Sequence, residues 1–169
     1  EGSSAVFINN DVEFFRTNVG VRQGCILSPV LFNTYLEHIM QETLQDHQTS
    51  ITIGGRPLCD LRFADDIDLM AGTEEELQEL TSKLETVSRK YRMEINKEKI
   101  KILVNRSNNH KHTNIWLNGQ KLEEVETFKY HGSYICNDGN SGKEIKSRLA
   151  MASAAISRLN VIWKSKIYR

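Results

Sequence analysis

Several things are scarce in this sequence, and each scarcity narrows what the chain can be. Of 169 residues only three are cysteines, Cys25, Cys59 and Cys136, far apart and odd in number. That argues against a disulfide framework and fits a reducing compartment. None of them stands beside another Cys or a His at zinc spacing, and His110-Lys111-His112 alone reads as a polar loop. No apolar run approaches the roughly 18 residues of a membrane span, and no secretory pattern is visible, so no membrane partner is expected. Net charge is missing too: Lys plus Arg and Asp plus Glu are 22 each, so the total names no partner. There is no internal repeat and no low-complexity tract. The first residue is Glu1 rather than Met, from which a piece of a longer chain is expected.

What is present is an ordinary apolar content, 39%, with 26% charged residues, enough for a substantial core at this length. The charges are unevenly spread. Over residues 60–86 the acids Asp60, Asp65, Asp66, Asp68, Glu74, Glu75, Glu76, Glu79 and Glu85 face only Arg62 and Lys83. Residues 89–111 are basic, and after Ser141 the bases Lys143, Lys146, Arg148, Arg158, Lys164, Lys166 and Arg169 face only Glu144. A metal site beside a polyanion groove needs this pattern, although charged helix faces also produce it.

The acidic segment opens on R-F-A-D-D-I-D-L-M-A, residues 62–71. Leu61 and Phe63 alternate with polar neighbours before the aspartates, and Ile67, Leu69 and Ala71 alternate after them, a period of two that predicts a β-hairpin with Asp65 and Asp66 at its tip. Adjacent carboxylates repel unless a cation lies in front of them, and a hard divalent cation is the usual answer. By spacing alone, a solvated Asp-Asp turn is the commoner reading.

In chain order, residues 5–8 and 12–15 flank Asn9-Asn10-Asp11, a strand, turn and strand. G-V-R-Q-G-C-I-L-S-P, residues 20–29, follows. Ser28 reads as the N-cap and Pro29 as the first residue of a helix running to about Leu44, with Leu31, Tyr35 and Ile39 down one side and Phe32, Leu36 and Met40 beside them. The helix start, with Arg22 nearby, can receive a phosphate, but a plain Gly-rich connection looks the same. Gly54-Gly55 marks another hairpin. Thr73 and Glu76 form a capping box before a helix whose Leu77, Leu80, Leu84, Val87 and Tyr91 recur at steps of three and four. Ile100, Ile102 and Val104 read as a strand with Lys99 and Lys101 opposite, and residues 105–113 as a polar loop or seam. Asn118-Gly119 centres a hairpin, and His131-Gly132 bends residues 127–136. Ser141 with Glu144 repeats the capping box ahead of a helix lined by Ile145, Leu149, Ala152, Ile156, Leu159 and Trp163. The architecture is α+β, with hairpins packed under two helices and a basic helix at the end.

Four of these stretches, G-V-R-Q-G-C-I-L-S-P-V-L-F-N, F-A-D-D, I-N-K-E-K-I-K and F-K-Y-H-G-S-Y-I, stand in an order and at distances that resemble a reverse transcriptase of the non-LTR, LINE-like retrotransposon type. The resemblance covers nearly the whole chain. It implies part of a right-hand polymerase: a palm fragment, with an antiparallel sheet and packed helices, over residues 1–104; hairpins and a primer-grip-like bend over 105–140; and the start of a helical thumb over 141–169. It implies RNA-directed DNA synthesis by two-metal nucleotidyl transfer, with two Mg²⁺ ions, Mn²⁺ as a possible substitute, and an RNA template, a DNA primer, deoxynucleoside triphosphates and the rest of the parent polypeptide as partners. By the same resemblance Asp65 and Asp66 are the catalytic, metal-binding carboxylates. Gln23 and Gly24 contact template and nascent base pair, and Lys99 lies near the triphosphate. Phe128, Tyr130 and Gly132 belong to the primer-grip-like bend, and Lys146 and Arg148 meet nucleic-acid backbone. The nucleus is the compartment such a polymerase implies, without any address signal here.

The sequence also departs from the family pattern. A further palm aspartate is expected ahead of the first motif, and nothing before Gly20 offers it; Asp11 sits in a turn of the wrong kind. The fingers are missing, His131 replaces an aliphatic residue and Ile100 a small hydroxyl residue. The chain alone is therefore expected to be inactive. The alternative, from another class, is a non-catalytic remnant that binds nucleic acid or protein.

Overall fold

The structure is a computed structural model that describes residues 2–8, 11–17, 20, 24–105 and 112–164. It divides into two compact units, Glu1–Glu94 and Ile95–Arg169.

In the first unit, β1 (Gly2–Ile8) and β2 (Asp11–Thr17) form the expected antiparallel pair. Helix α1 (Ser28–Leu44) has the expected span, but its cap position is Leu27, with no side-chain cap bond. Ser28 is already inside the helix and buried, because the chain turns on a backbone bond from the Ser28 amide to the Cys25 carbonyl at 3.2 Å. Only the second half of the helix carries the core stripe. Leu36, Ile39, Met40 and Thr43 are buried, whereas Leu31 and Tyr35 are exposed.

The Gly54-Gly55 hairpin joins β3 (Thr52–Ile53) to β4 (Arg56–Pro57), with φ of +60° and +77° at the two glycines. That is the backbone of a type I′ turn. The aspartate hairpin is β5 (Asp60–Phe63) with β6 (Asp66–Leu69). Helix α2 (Glu74–Lys90) begins at the Thr73 cap, whose hydroxyl accepts from the Glu76 amide at 3.1 Å. It buries Leu80, Thr81, Leu84, Val87 and Ser88, packs against α1, and covers β6. Apolar burial between these two helices, worth about 25 cal/mol per Å², holds them together.

In the second unit, β7 (Lys101–Leu103) pairs with β10 (Glu123–Val125), and the pairing is parallel, against the antiparallel expectation. The strand also starts later than expected, so Ile100 lies outside it. Parallel pairing needs a crossover of about a dozen residues or more, and the connection here supplies it while carrying a hairpin of its own. That hairpin, β8 (Trp116–Leu117) with β9 (Gln120–Lys121), turns at Asn118-Gly119 as expected. Ile102, Ile115, Leu117 and Leu122 form the buried core. β11 (Thr127–Tyr130) and β12 (Ser133–Cys136) form the last hairpin, and α3 (Gly142–Trp163) packs its beginning on β12. Among the described residues the sheets are six strand pairs, five of them antiparallel.

Candidate functional site

In the aspartate hairpin Phe63 pairs with Asp66, which leaves Ala64 and Asp65 as the two loop residues. The turn therefore falls one residue earlier than the expected Asp65-Asp66 tip. Ala64 has φ of +52° and Asp65 is not in the left-handed region, the pattern of a type II′ turn, where glycine is the usual first loop residue. Asp65 sits on the loop, while Asp66 is the first paired residue of β6. Strand alternation places Asp66 on one face with Asp68, Leu61 and Phe63, and puts Asp60, Arg62, Ile67 and Leu69 on the other. Both Asp65 and Asp66 are exposed. The pair thus offers hard oxygen donors on a fixed strand end and the adjoining turn.

Two sets of contacts hold that hairpin in place. Arg62, read from sequence only as a stray base, donates to Asp60 at 2.6 Å and to Glu37 of α1 at 2.5 Å. It joins β5 to the first helix. The Met70 amide extends the ladder by donating to the Cys59 carbonyl at 2.7 Å. Burial, then the neighbouring Asp60 charge, pushes the Cys59 thiol up. At the far end of the hairpin Glu76 does not complete its capping box. Its carboxylate accepts instead from the Gly72 amide at 3.1 Å, the Ser50 amide at 3.2 Å and the Ser50 hydroxyl. A Cβ on Gly72 would collide with that hydroxyl. The buried His47 ring lies 3.4 Å from Glu76, an ion pair when protonated. Burial alone would raise the Glu76 carboxyl. Hydrogen bonds from the Ser50 hydroxyl, the Gly72 and Ser50 amides and the Thr49 hydroxyl outweigh burial and bring it from the ordinary 4.5 down to about 2.

Gly24 lies in the turn before α1 with φ of +81°, and Gln23 lies outside the described residues. The remaining candidates belong to the second unit. Lys99 is exposed in a turn ahead of β7, its amide bonded to the Asn96 carbonyl at 3.2 Å, rather than on a strand. Phe128 and Tyr130 lie on β11, half-buried, and Gly132 closes the β11–β12 turn with φ of +82° beside His131 at +44°. Here the structure does bring two candidates together. Arg148 donates to the Gly132 carbonyl at 3.3 Å and to the Ser133 hydroxyl at 3.1 Å. Its Nε donates to Glu144, whose other oxygen accepts from the Tyr134 amide at 2.7 Å. The Tyr134 amide, then Arg148, holds the Glu144 carboxyl below its ordinary value. The expected Ser141 capping box is absent: the Gly142 amide bonds Asn140 instead, at 2.7 Å. Lys146 borders a shallow cleft of about 360 Å³ with Cys136, Asp138, Asn140, Gly142 and Lys143.

Sequence reasoning missed Arg62 and misassigned Glu76 and Glu144. The Glu144–Arg148 spacing of four is a legible helix pair, but its grip on the β11–β12 turn is not. Among the described residues no cluster of three or more His, Cys, Asp or Glu comes together as a metal cage. The Asp65–Asp66 pair still suits Mg²⁺, which commonly takes one or two protein carboxylates and completes its shell with water and substrate phosphates.

Residues 4–135 match the family described as Reverse transcriptase (RNA-dependent DNA polymerase). The chain is also similar to a protein of Nasonia vitripennis named Retrovirus-related Pol polyprotein from type-1 retrotransposable element R2, at 39% identity over 66 residues. That alignment takes in 39% of this chain and 6% of the relative, so the chain matches only a small part of that relative's length.

Proposed function

This chain belongs to the reverse transcriptase family, of the non-LTR retrotransposon type, and on that premise we propose that it is palm and early thumb of a polymerase that copies RNA into DNA. The observation that carries the reading is the exposed Asp65–Asp66 pair, held on a braced hairpin inside the matched residues. Bound Mg²⁺ ions supply the charge that activates a primer 3′-hydroxyl and neutralises the leaving pyrophosphate. Asp65 and Asp66 would hold them. Arg62 and Glu76 keep the hairpin seated, which limits the reorganisation needed when substrate arrives. Gln23 and Gly24 are proposed to contact the template and the nascent base pair, and the bare Gly24 backbone allows close approach. Lys99, solvent-facing, pairs with triphosphate oxygens or gives a proton to the leaving group. The β11–β12 turn, with Phe128, Tyr130 and Gly132, supports the primer end, and Lys146 and Arg148 meet backbone phosphates. Residues 1–104, 105–140 and 141–169 are then palm, palm hairpins and thumb.

Manganese EPR tests this. With an RNA–DNA duplex and a deoxynucleoside triphosphate present, the chain should bind Mn²⁺ in a way that Asp65→Asn abolishes and Asp66→Asn weakens. Duplex binding that is salt-sensitive but indifferent to Mn²⁺ and to both substitutions would instead identify a non-catalytic binding module.

A further inference from the structure

Glu144 uses both of its carboxylate oxygens. One carboxylate oxygen accepts from the Tyr134 amide at 2.7 Å and the other from Arg148 Nε. Arg148 in turn reaches the Gly132 carbonyl and the Ser133 hydroxyl through Nη2. Gly132 of the β11–β12 turn and Ser133 and Tyr134 at the start of β12 are therefore tied to the first turns of α3 through one acid and one base. The guanidinium has five donors in a rigid plane. Nε and Nη2 are committed to the clamp, while the side chain remains 53% exposed. The side chain is open to solvent with its orientation already set.

We infer that Glu144 is a positioning residue: it locks Arg148 and the Gly132–Tyr134 turn into one unit, so that turn and helix meet the backbone of a nucleic-acid duplex together. This rests on the nucleic-acid reading given above. Arg148 and Lys146 differ in how they can meet a phosphate. Arg148 is pre-oriented, so little rotamer freedom is lost when it bonds a phosphate. Lys146 carries a mobile point charge. Glu144 touches no phosphate itself, and its own charge opposes a polyanion.

That opposition makes the test a matter of sign. If Glu144 were only a surface acid, Glu144→Gln and Glu144→Ala would both tighten binding to an RNA–DNA duplex by removing repulsion. As a positioning residue, Glu144→Ala weakens it by about tenfold, the scale of a lost charge-assisted hydrogen bond. Glu144→Gln, which keeps an acceptor for the Tyr134 amide, weakens it less. The slope of log K against log salt stays as in the parent for both, because the count of phosphates met is unchanged; Lys146→Ala makes it shallower by about 0.9. Hydrogen exchange supplies a readout independent of nucleic acid. The Tyr134 amide should lose protection in Glu144→Ala while the Ile115, Leu117 and Leu122 amides keep theirs, which also verifies the fold. Tighter binding in either variant, or an unchanged Tyr134 amide, overturns the inference. A parent chain that binds no duplex, with Tyr134 deprotected in Glu144→Ala, confirms the clamp and rejects the nucleic-acid reading.

Discussion

Ala64 turns the aspartate hairpin with φ of +52°, a conformation that costs a Cβ-bearing residue about 1 kcal/mol or more. The strain is tolerated because the strands on either side are braced, at one end by Arg62 and at the other by Glu76. Glu76 gives the bracing a pH signature. Its folded value, about 2, lies below its ordinary 4.5. A depressed carboxylate contributes stability that is complete above the ordinary value and is lost as pH falls through the folded one. The urea midpoint of the chain should therefore fall between about pH 4.5 and pH 2, and Glu76→Gln should remove the Glu76 share of that slope while lowering stability at neutral pH. An identical slope in the variant would refute the role. At the same scale, Asp65 and Asp66 were legible as a pair but not in their separate stations. The dipeptide pointed to a turn, and Ala64 gave no sign of positive φ, since alanine avoids it.

Among elements, hairpins with glycine were readable from two residues each. Asn118-Gly119 and Gly54-Gly55 carry their φ > 0 requirement in the residues themselves. Helices α1, α2 and α3 were readable from periodicity, but their surroundings were not. Ile145, Leu149, Ile156, Leu159 and Trp163 keep the expected stripe on α3 and yet are exposed in this structure. Both capping boxes were half right or wrong, because Ser50, Gly72 and Tyr134 amides compete for the same carboxylates. The link between β5 and α1 makes a prediction of its own. Arg62→Met leaves Asp60, whose side chain is 13% exposed, without its cation. It should destabilise the chain by about 1–2 kcal/mol. Adding Asp60→Asn should recover part of that loss, since the stranded carboxylate is then gone. A double variant no more stable than Arg62→Met, by urea midpoint, would show that the ion pair is not what seats the hairpin.

For the whole molecule, membership of the reverse transcriptase family bears on activity. Two carboxylates on one hairpin can share a metal with substrate, but two-metal transfer draws on further acids. Removing one electrostatic participant typically lowers turnover by about 10² to 10³. The chain on its own is expected to give no primer extension with Mg²⁺ on an RNA template in a gel assay. Robust extension that Asp65→Asn abolishes would overturn this expectation. The four ordered motifs made the family legible, because each stays intact as a short contiguous run whatever the rest of the chain does.

By itself the sequence determined the helices, the glycine-bearing hairpins, the family and the presence of a paired carboxylate. Periods of 3.6 and two, and the φ demands of dipeptides, are local properties. Tertiary structure alone decided that β7 and β10 run parallel, that the turn precedes Asp65, and that Glu76 and Glu144 leave their own helices to clamp distant backbone. These outcomes are contests between donors and acceptors 10 or 26 residues apart. The half-buried Tyr134 amide must find a partner, and which carboxylate an amide finds depends on where the chain returns.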